Sequence, residues 1–117
     1  MNTTNSGSIR IATTEEIAGA EIVSTVGMVV GIAIRSRGVG GNIMAGLAAV
    51  GNGSPLDEFR DDLLAIRWEA LTGMSRAAED LGADAVIGTR FDTAEVGREM
   101  VEVVAYGTAV VLQESGA

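Results

Sequence analysis

The side chains able to do chemistry in this sequence are few in kind. There is no cysteine and no histidine, and all eight cationic residues are arginine. Thiol nucleophiles, imidazole bases, disulfides and Cys/His metal sites are therefore excluded. General acid–base work would fall to carboxylates or to Tyr106. No nucleophile–base–orienter triad can be assembled without histidine or lysine, so the expectation is a protein that is not an enzyme. What remains is carboxylate oxygen, which suits hard cations such as Mg²⁺ or Ca²⁺, and arginine, which suits anions.

Two stretches concentrate these groups. Arg35 and Arg37 precede Gly38, Gly40, Gly41 and Asn42 in the run RSRGVGGN. Backbone N–H groups of such a loop, with the two arginines, would form an anion or ligand site. The dinucleotide fingerprint is not met, because Ile43 stands where the third glycine belongs, and there is no Gly-Lys-Ser/Thr of a P-loop. A plain assembly loop is the competing explanation. Asp57, Glu58 and Asp61, with Asp62, form an acidic cluster at a helix start. One explanation is a solvated turn favoured by the helix dipole; the other is a carboxylate site for a divalent cation, without EF-hand spacing. A third charged group, Arg90, Asp92, Glu95, Arg98, Glu99 and Glu102, is expected to form cross-strand ion pairs at a hairpin end.

The element that positions most of these residues is a predicted helix over Ser54–Gly82. Ser54 is a suitable N-cap, Pro55 fits the first helical position, and Gly82 suits a left-handed stop. Phe59, Leu63, Ile66, Ala70, Met74, Ala77 and Leu81 recur at three- and four-residue steps and predict a face against a sheet. Leu64, Trp68 and Leu71 make a second stripe, assigned to contact with a neighbouring subunit. Gly73, costly inside a helix, marks close packing.

The rest of the chain is strand and glycine-rich connector. Strands are predicted over Ile9–Thr13, Glu21–Ile34, about 84–92 and Met100–Glu114, with a hairpin connection at 94–99 and a short helix at Asn42–Val50. In Glu21–Ile34, Ile22, Ser24, Val26, Met28, Val30, Ile32 and Ile34 share a bulky side. Val23, Thr25, Gly27, Val29, Gly31 and Ala33 share a small side that would admit a helix. The order β–β–short α–α–β–β predicts an α+β fold, an antiparallel sheet packed by one long helix. Residues 1–8 are expected as a disordered tail, 9–114 as one domain, and 115–117 as a C-terminal tail.

A net charge of −8 argues against nucleic acid and anionic membranes as partners. No targeting segment or membrane span is visible, so a cytoplasmic protein is expected. One helix covers only one side of such a sheet, and both sides of Met100–Leu112 are largely apolar. A homo-oligomer is therefore expected, with Leu64, Trp68, Leu71, Val104 and Tyr106 at the interface.

The succession Val26-Gly27-Met28-Val29-Val30-Gly31, then Gly51-Asn52-Gly53-Ser54, Leu81-Gly82-Ala83-Asp84-Ala85-Val86-Ile87-Gly88 and Tyr106-Gly107-Thr108-Ala109-Val110 resembles the YbjQ-like family, labelled heavy-metal-binding. The resemblance spans residues 9–114. It implies a dodecin-like subunit in a ring-shaped pentamer or paired pentamers. Its function would be that of a non-enzymatic oligomer binding a metal ion or small ligand, the divalent cation held without Cys or His. The alternative is a structural or regulatory assembly module that engages another protein and holds no ligand. Within Leu81–Gly88, Gly82 is expected to stop the helix, Ala83 and Ala85 to pack, Gly88 to permit a close approach, and Asp84 to cap backbone N–H groups.

Overall fold

The computed structural model describes residues 8–36, 56–97 and 100–114. They form strands β1 (Arg10–Ile11) and β2 (Ala20–Ser36), helix α1 (Leu56–Asp80), and strands β3 (Ala85–Val96) and β4 (Met100–Glu114). The fold is α+β, with α1 laid on one side of a four-stranded sheet of order β1-β3-β4-β2. The short helix expected at Asn42–Val50 and the cap residues Ser54 and Pro55 lie outside the described residues.

The sheet is mixed rather than antiparallel throughout. β4 pairs antiparallel with both β2 and β3, but β1 runs parallel to β3 through Arg10↔Ala85 and Ile11↔Val86. β1 and β2 stand at opposite edges of the sheet, so they do not pair as an antiparallel sheet in chain order would have them. β4 takes the inner side of β2, and residues 12–19 carry the chain from one edge of the sheet to the other. β3 also extends to Val96, past the expected hairpin start, because Ala94, Glu95 and Val96 continue to pair with Glu102, Val101 and Met100.

Strand alternation decides which side the helix covers. Val29 and Ala33 of β2, Val103, Ala105 and Ala109 of β4, and Val86 of β3 are buried with Ile66, Ala70, Met74 and Ala78 of α1. The small side of β2 thus receives the helix, as its composition predicts. The alternation fails earlier in β2, where bulges at Ile22/Ser24 and Thr25/Gly27 shift the register. Val26, expected on the bulky side, instead packs against the core.

The helix comes nearest the sheet where two glycines face each other. A Cβ added at Gly31 would run into the Ala70 carbonyl and the Met74 nitrogen, whereas one at Gly73 would lie 3.4 Å from the Gly31 Cα. Backbone meets backbone here, and no side chain intervenes. At its end, α1 closes as its sequence predicts. Gly82 takes φ +80, its N–H bonds the Glu79 carbonyl at 2.9 Å, and the Ala83 N–H bonds that of Ala78 at 3.1 Å. This is the left-handed Schellman stop. It leaves Leu81, expected in the core stripe, 53% exposed, because the chain turns away one residue past the helix.

Gly31→Ala should therefore destabilise the fold by at least about 1–3 kcal/mol, the usual cost of overpacking. Gly73→Ala should be neutral or stabilising, since its contact is ordinary and alanine favours helix by about 1 kcal/mol. Thermal unfolding at one fixed protein concentration checks both, and equal losses would contradict the asymmetry.

Candidate functional site: two apolar faces and their polar margins

The side of the sheet away from α1 carries a strip of large apolar residues. On β2, Met28 is 70%, Ile32 52%, Ile34 45% and Val30 38% exposed. The register sets Met28 beside Thr108, Val30 beside Tyr106, Ile32 beside Val104 and Ile34 beside Glu102. Val104 and Tyr106, both expected at an interface, are half-buried in this strip. The four β2 residues belong with them, although sequence reasoning did not place them there. Their signal was present in the bulky side of the alternation; what was missing was the knowledge that the helix covers the opposite side.

The outer surface of α1 holds the second stripe. Trp68 is 63% and Leu64 48% exposed. Leu71 is half-buried and packs against the core, being three and seven residues from the buried Met74 and Ala78 and so at the rim of the covered face. Leu63, expected beneath the helix, is 38% exposed at the other rim. Arg67 stands over Phe91 at 5.6 Å from the ring centroid, closing that end of the helix–sheet seam with a cation–π contact.

The charged groups fall at the margins. Arg35 donates from Nη2 to Glu69 Oε1 at 2.7 Å and from Nη1 to the Ile34 carbonyl at 3.2 Å. This member of the proposed anion loop therefore ties the end of β2 to α1. Arg37, Gly38, Gly40, Gly41 and Asn42 lie outside the described residues. The Arg35 guanidinium holds the Glu69 carboxyl below the usual glutamate range, chiefly by its hydrogen bond, with slight desolvation opposing and its charge adding. Asp57 and Glu58 lie at the start of α1, and Asp61 is exposed one turn further on. Arg90, expected in a cross-strand ion pair, donates instead to the carbonyls of Thr13 and Thr89, at 3.0 and 2.9 Å. It secures the segment after β1 to β3.

Asp84 does act on backbone N–H, but across the sheet on β4 rather than within its own turn. Its Oδ2 accepts from the Leu112 N–H at 2.8 Å, while its own N–H donates to the Val110 carbonyl at 2.8 Å. The side chain thereby adds one more rung where the β3–β4 ladder ends. Ala83 and Ala85 are buried as expected. Gly88 is not a close approach: a Cβ there would meet nothing within 4 Å. Its φ of +61 serves the bulge between Ile87 and Arg90, a left-handed position that glycine fills without strain.

An open groove of about 480 Å³ is lined by Glu15, Glu16, Ile17, Ala20, Glu21 and Ile22. Among the described residues, no group of three or more Asp, Glu, His or Cys could hold a metal ion. No described helix is long and apolar enough to cross a membrane.

These features define a class: small α+β proteins with one helix on a mixed sheet and an apolar sheet side left open. The family described as "Putative heavy-metal-binding", YbjQ, matches residues 9–113, and the chain belongs to it. It is 45% identical over 101 residues to a UPF0145 protein of Thermoplasma acidophilum, covering 86% of this chain and 84% of that one. A UPF0145 protein of Bradyrhizobium is 40% identical, covering 91% and 95%. A crystal structure of a protein of unknown function from Pediococcus pentosaceus, assigned to the DUF74 family, shares the fold. Its TM-score is 0.61 at 19% identity, covering 90% of this chain and 98% of that one.

Asp84→Ala should lower stability by about 1–2 kcal/mol, the loss of a charge-assisted bond, with any cation binding unchanged. Asp84→Asn, which keeps an acceptor oxygen, should lose less. Urea denaturation with calorimetric metal titration checks both.

The Glu69 carboxyl is more acidic folded than unfolded, so its contribution is present above the unfolded value of about 4.3 and fades as pH falls through the folded one. The gap in urea midpoint between the natural chain and Glu69→Gln should therefore shrink from pH 7 to pH 3. It should also shrink in 1 M salt, which screens an exposed pair.

Proposed function

We propose that this protein is a non-enzymatic homo-oligomer, a ring of dodecin-like subunits, that holds a hard cation or small ligand between copies. The observation that carries the reading is the open sheet side. Met28 is 70% exposed within a strip of Val30, Ile32, Ile34, Val104 and Tyr106 that one helix leaves uncovered. A contiguous apolar strip of this kind is the mark of an interaction surface. Leu64 and Trp68 supply a second apolar area on the helix layer, so the subunit can be contacted on both layers.

The family description supports a metal as ligand. The donor set does not fit a soft heavy-metal ion, because the chain has no cysteine or histidine and soft ions favour thiolate and imidazole. Carboxylates fit a hard divalent cation. Asp57, Glu58 and Asp61, close together in sequence, are the candidate donors, and a complete shell would draw on more than one copy. The absence of any lysine or histidine base supports binding over catalysis.

Native mass spectrometry, before and after added Mg²⁺ or Ca²⁺, tests the reading by reporting stoichiometry and retained ions together. The expected result is a closed oligomer, a pentamer or pair of pentamers, that retains cations. Ile32→Glu should lower its mass while circular dichroism stays unchanged, and Trp68→Glu should weaken it. A single 12.0 kDa species at micromolar concentration would refute the assembly.

A further inference from the structure

The sheet ends in two strand edges that find no complete partner among the described residues. β2 is the last strand and has only β4 beside it. In such a strand, alternate residues turn their N–H and C=O groups outward. Past its two bulges, β2 pairs regularly from Gly27 to Ser36, and Met28–Ile34 contains no charge and no proline. Edge strands of monomers are commonly protected by charge, proline or bulges, and this length has none of them.

The other edge belongs to β3. The segment from β1 onward covers it only as far as the bulge, through Ala12 N–H to the Val86 carbonyl, Gly88 N–H to Thr14, and Thr89 N–H to Ala12. From Arg90 to Val96, β4 is the one strand that pairs with it among the described residues. The two open edges lie at one level of the sheet. Met28–Ile34 stands opposite Thr108–Glu102 of β4, and Arg90–Val96 opposite Tyr106–Met100. Each is seven residues long, and both strands run antiparallel to β4, hence in the same direction.

We propose that copies of this chain join edge to edge, with Met28–Ile34 of β2 in one copy forming a parallel ladder with Arg90–Val96 of β3 in the next. This rests on the homo-oligomer reading and adds a contact along the strand edges to the one through the open sheet side. A second copy is the occupant because one chain carries both edges, matched in length, level and direction. The two edges differ, so the contact is heterologous, and it closes into a ring when the rotation axis runs along the strands. That rotation preserves strand direction and makes the new ladder parallel. It also turns every open sheet side alike, toward the axis or away from it, and sets neighbouring α1 helices in one layer, where Leu64 and Trp68 are exposed.

Amide hydrogen exchange on the assembled full chain, read residue by residue after transfer to a quenching solvent, tests the contact. An edge strand protects alternate amides, whereas a strand paired on both sides protects consecutive ones. The expected result is consecutive protection from Met28 to Ile34 and from Phe91 to Val96, with the outward amides slowed at least ~100-fold. Alternate protection within an oligomer overturns the edge contact and leaves the homo-oligomer standing. Consecutive protection in a 12.0 kDa monomer overturns it too, since the chain would then cover its own edges. Alternate protection in a monomer overturns both readings.

Discussion

The fold depends on the approach of two backbones at Gly31 and Gly73. Nothing larger than hydrogen fits on Gly31 without striking the Ala70 carbonyl or the Met74 nitrogen. With the helix this close, the seam must be filled by small side chains, and it is: Ala33, Ala70, Ala78, Ala105 and Ala109 are buried there. Close packing of small groups gains dispersion contacts but buries little area per residue. The larger apolar residues of β2 are therefore left on the other side of the strand. A thin core and an open apolar face are consequences of one geometric choice.

Polar groups in this molecule mostly join elements to one another. Asp84 joins the start of β3 to β4, Arg35 joins β2 to α1 through Glu69, and Arg90 holds the segment after β1. Arg10 reaches Glu114 at 2.6 Å across the sheet end, an exposed pair of small energetic weight. The name of the family points to heavy metals, while this chain has no thiolate or imidazole to hold a soft one. That difference follows from the amino-acid types alone and would hold for any arrangement of the chain.

Local signals were legible wherever one residue type has one dominant physical use. The Gly82 helix stop, the small side of β2, the packing of Ala83 and Ala85, and the closeness implied by Gly73 all follow from sterics that act within a few residues. Position along a helix or strand was less secure at the rims. Leu81 is exposed and Leu71 half-buried because burial at a stripe's margin depends on where the helix ends and what lies beneath it. Bulges in β2 and β3 reversed the strict alternation at Val26 and gave Gly88 a different duty, since one extra residue in a strand leaves no composition signal strong enough to count on.

The sequence by itself determined the chemistry that is excluded, the α+β class, the main helix and the division of β2 into a bulky and a small side. These depend on side-chain type and on periods of two and about 3.6 residues. Only the tertiary structure decided that β1 joins the far edge of the sheet in parallel, that Asp84 reaches Leu112, and that Met28, Val30, Ile32 and Ile34 form the open face with Val104 and Tyr106. Each of these is a pairing between residues distant in the chain. Such pairings are selected by the fit of whole elements, and two residues of strand or one carboxylate carry too little pattern to name their partner.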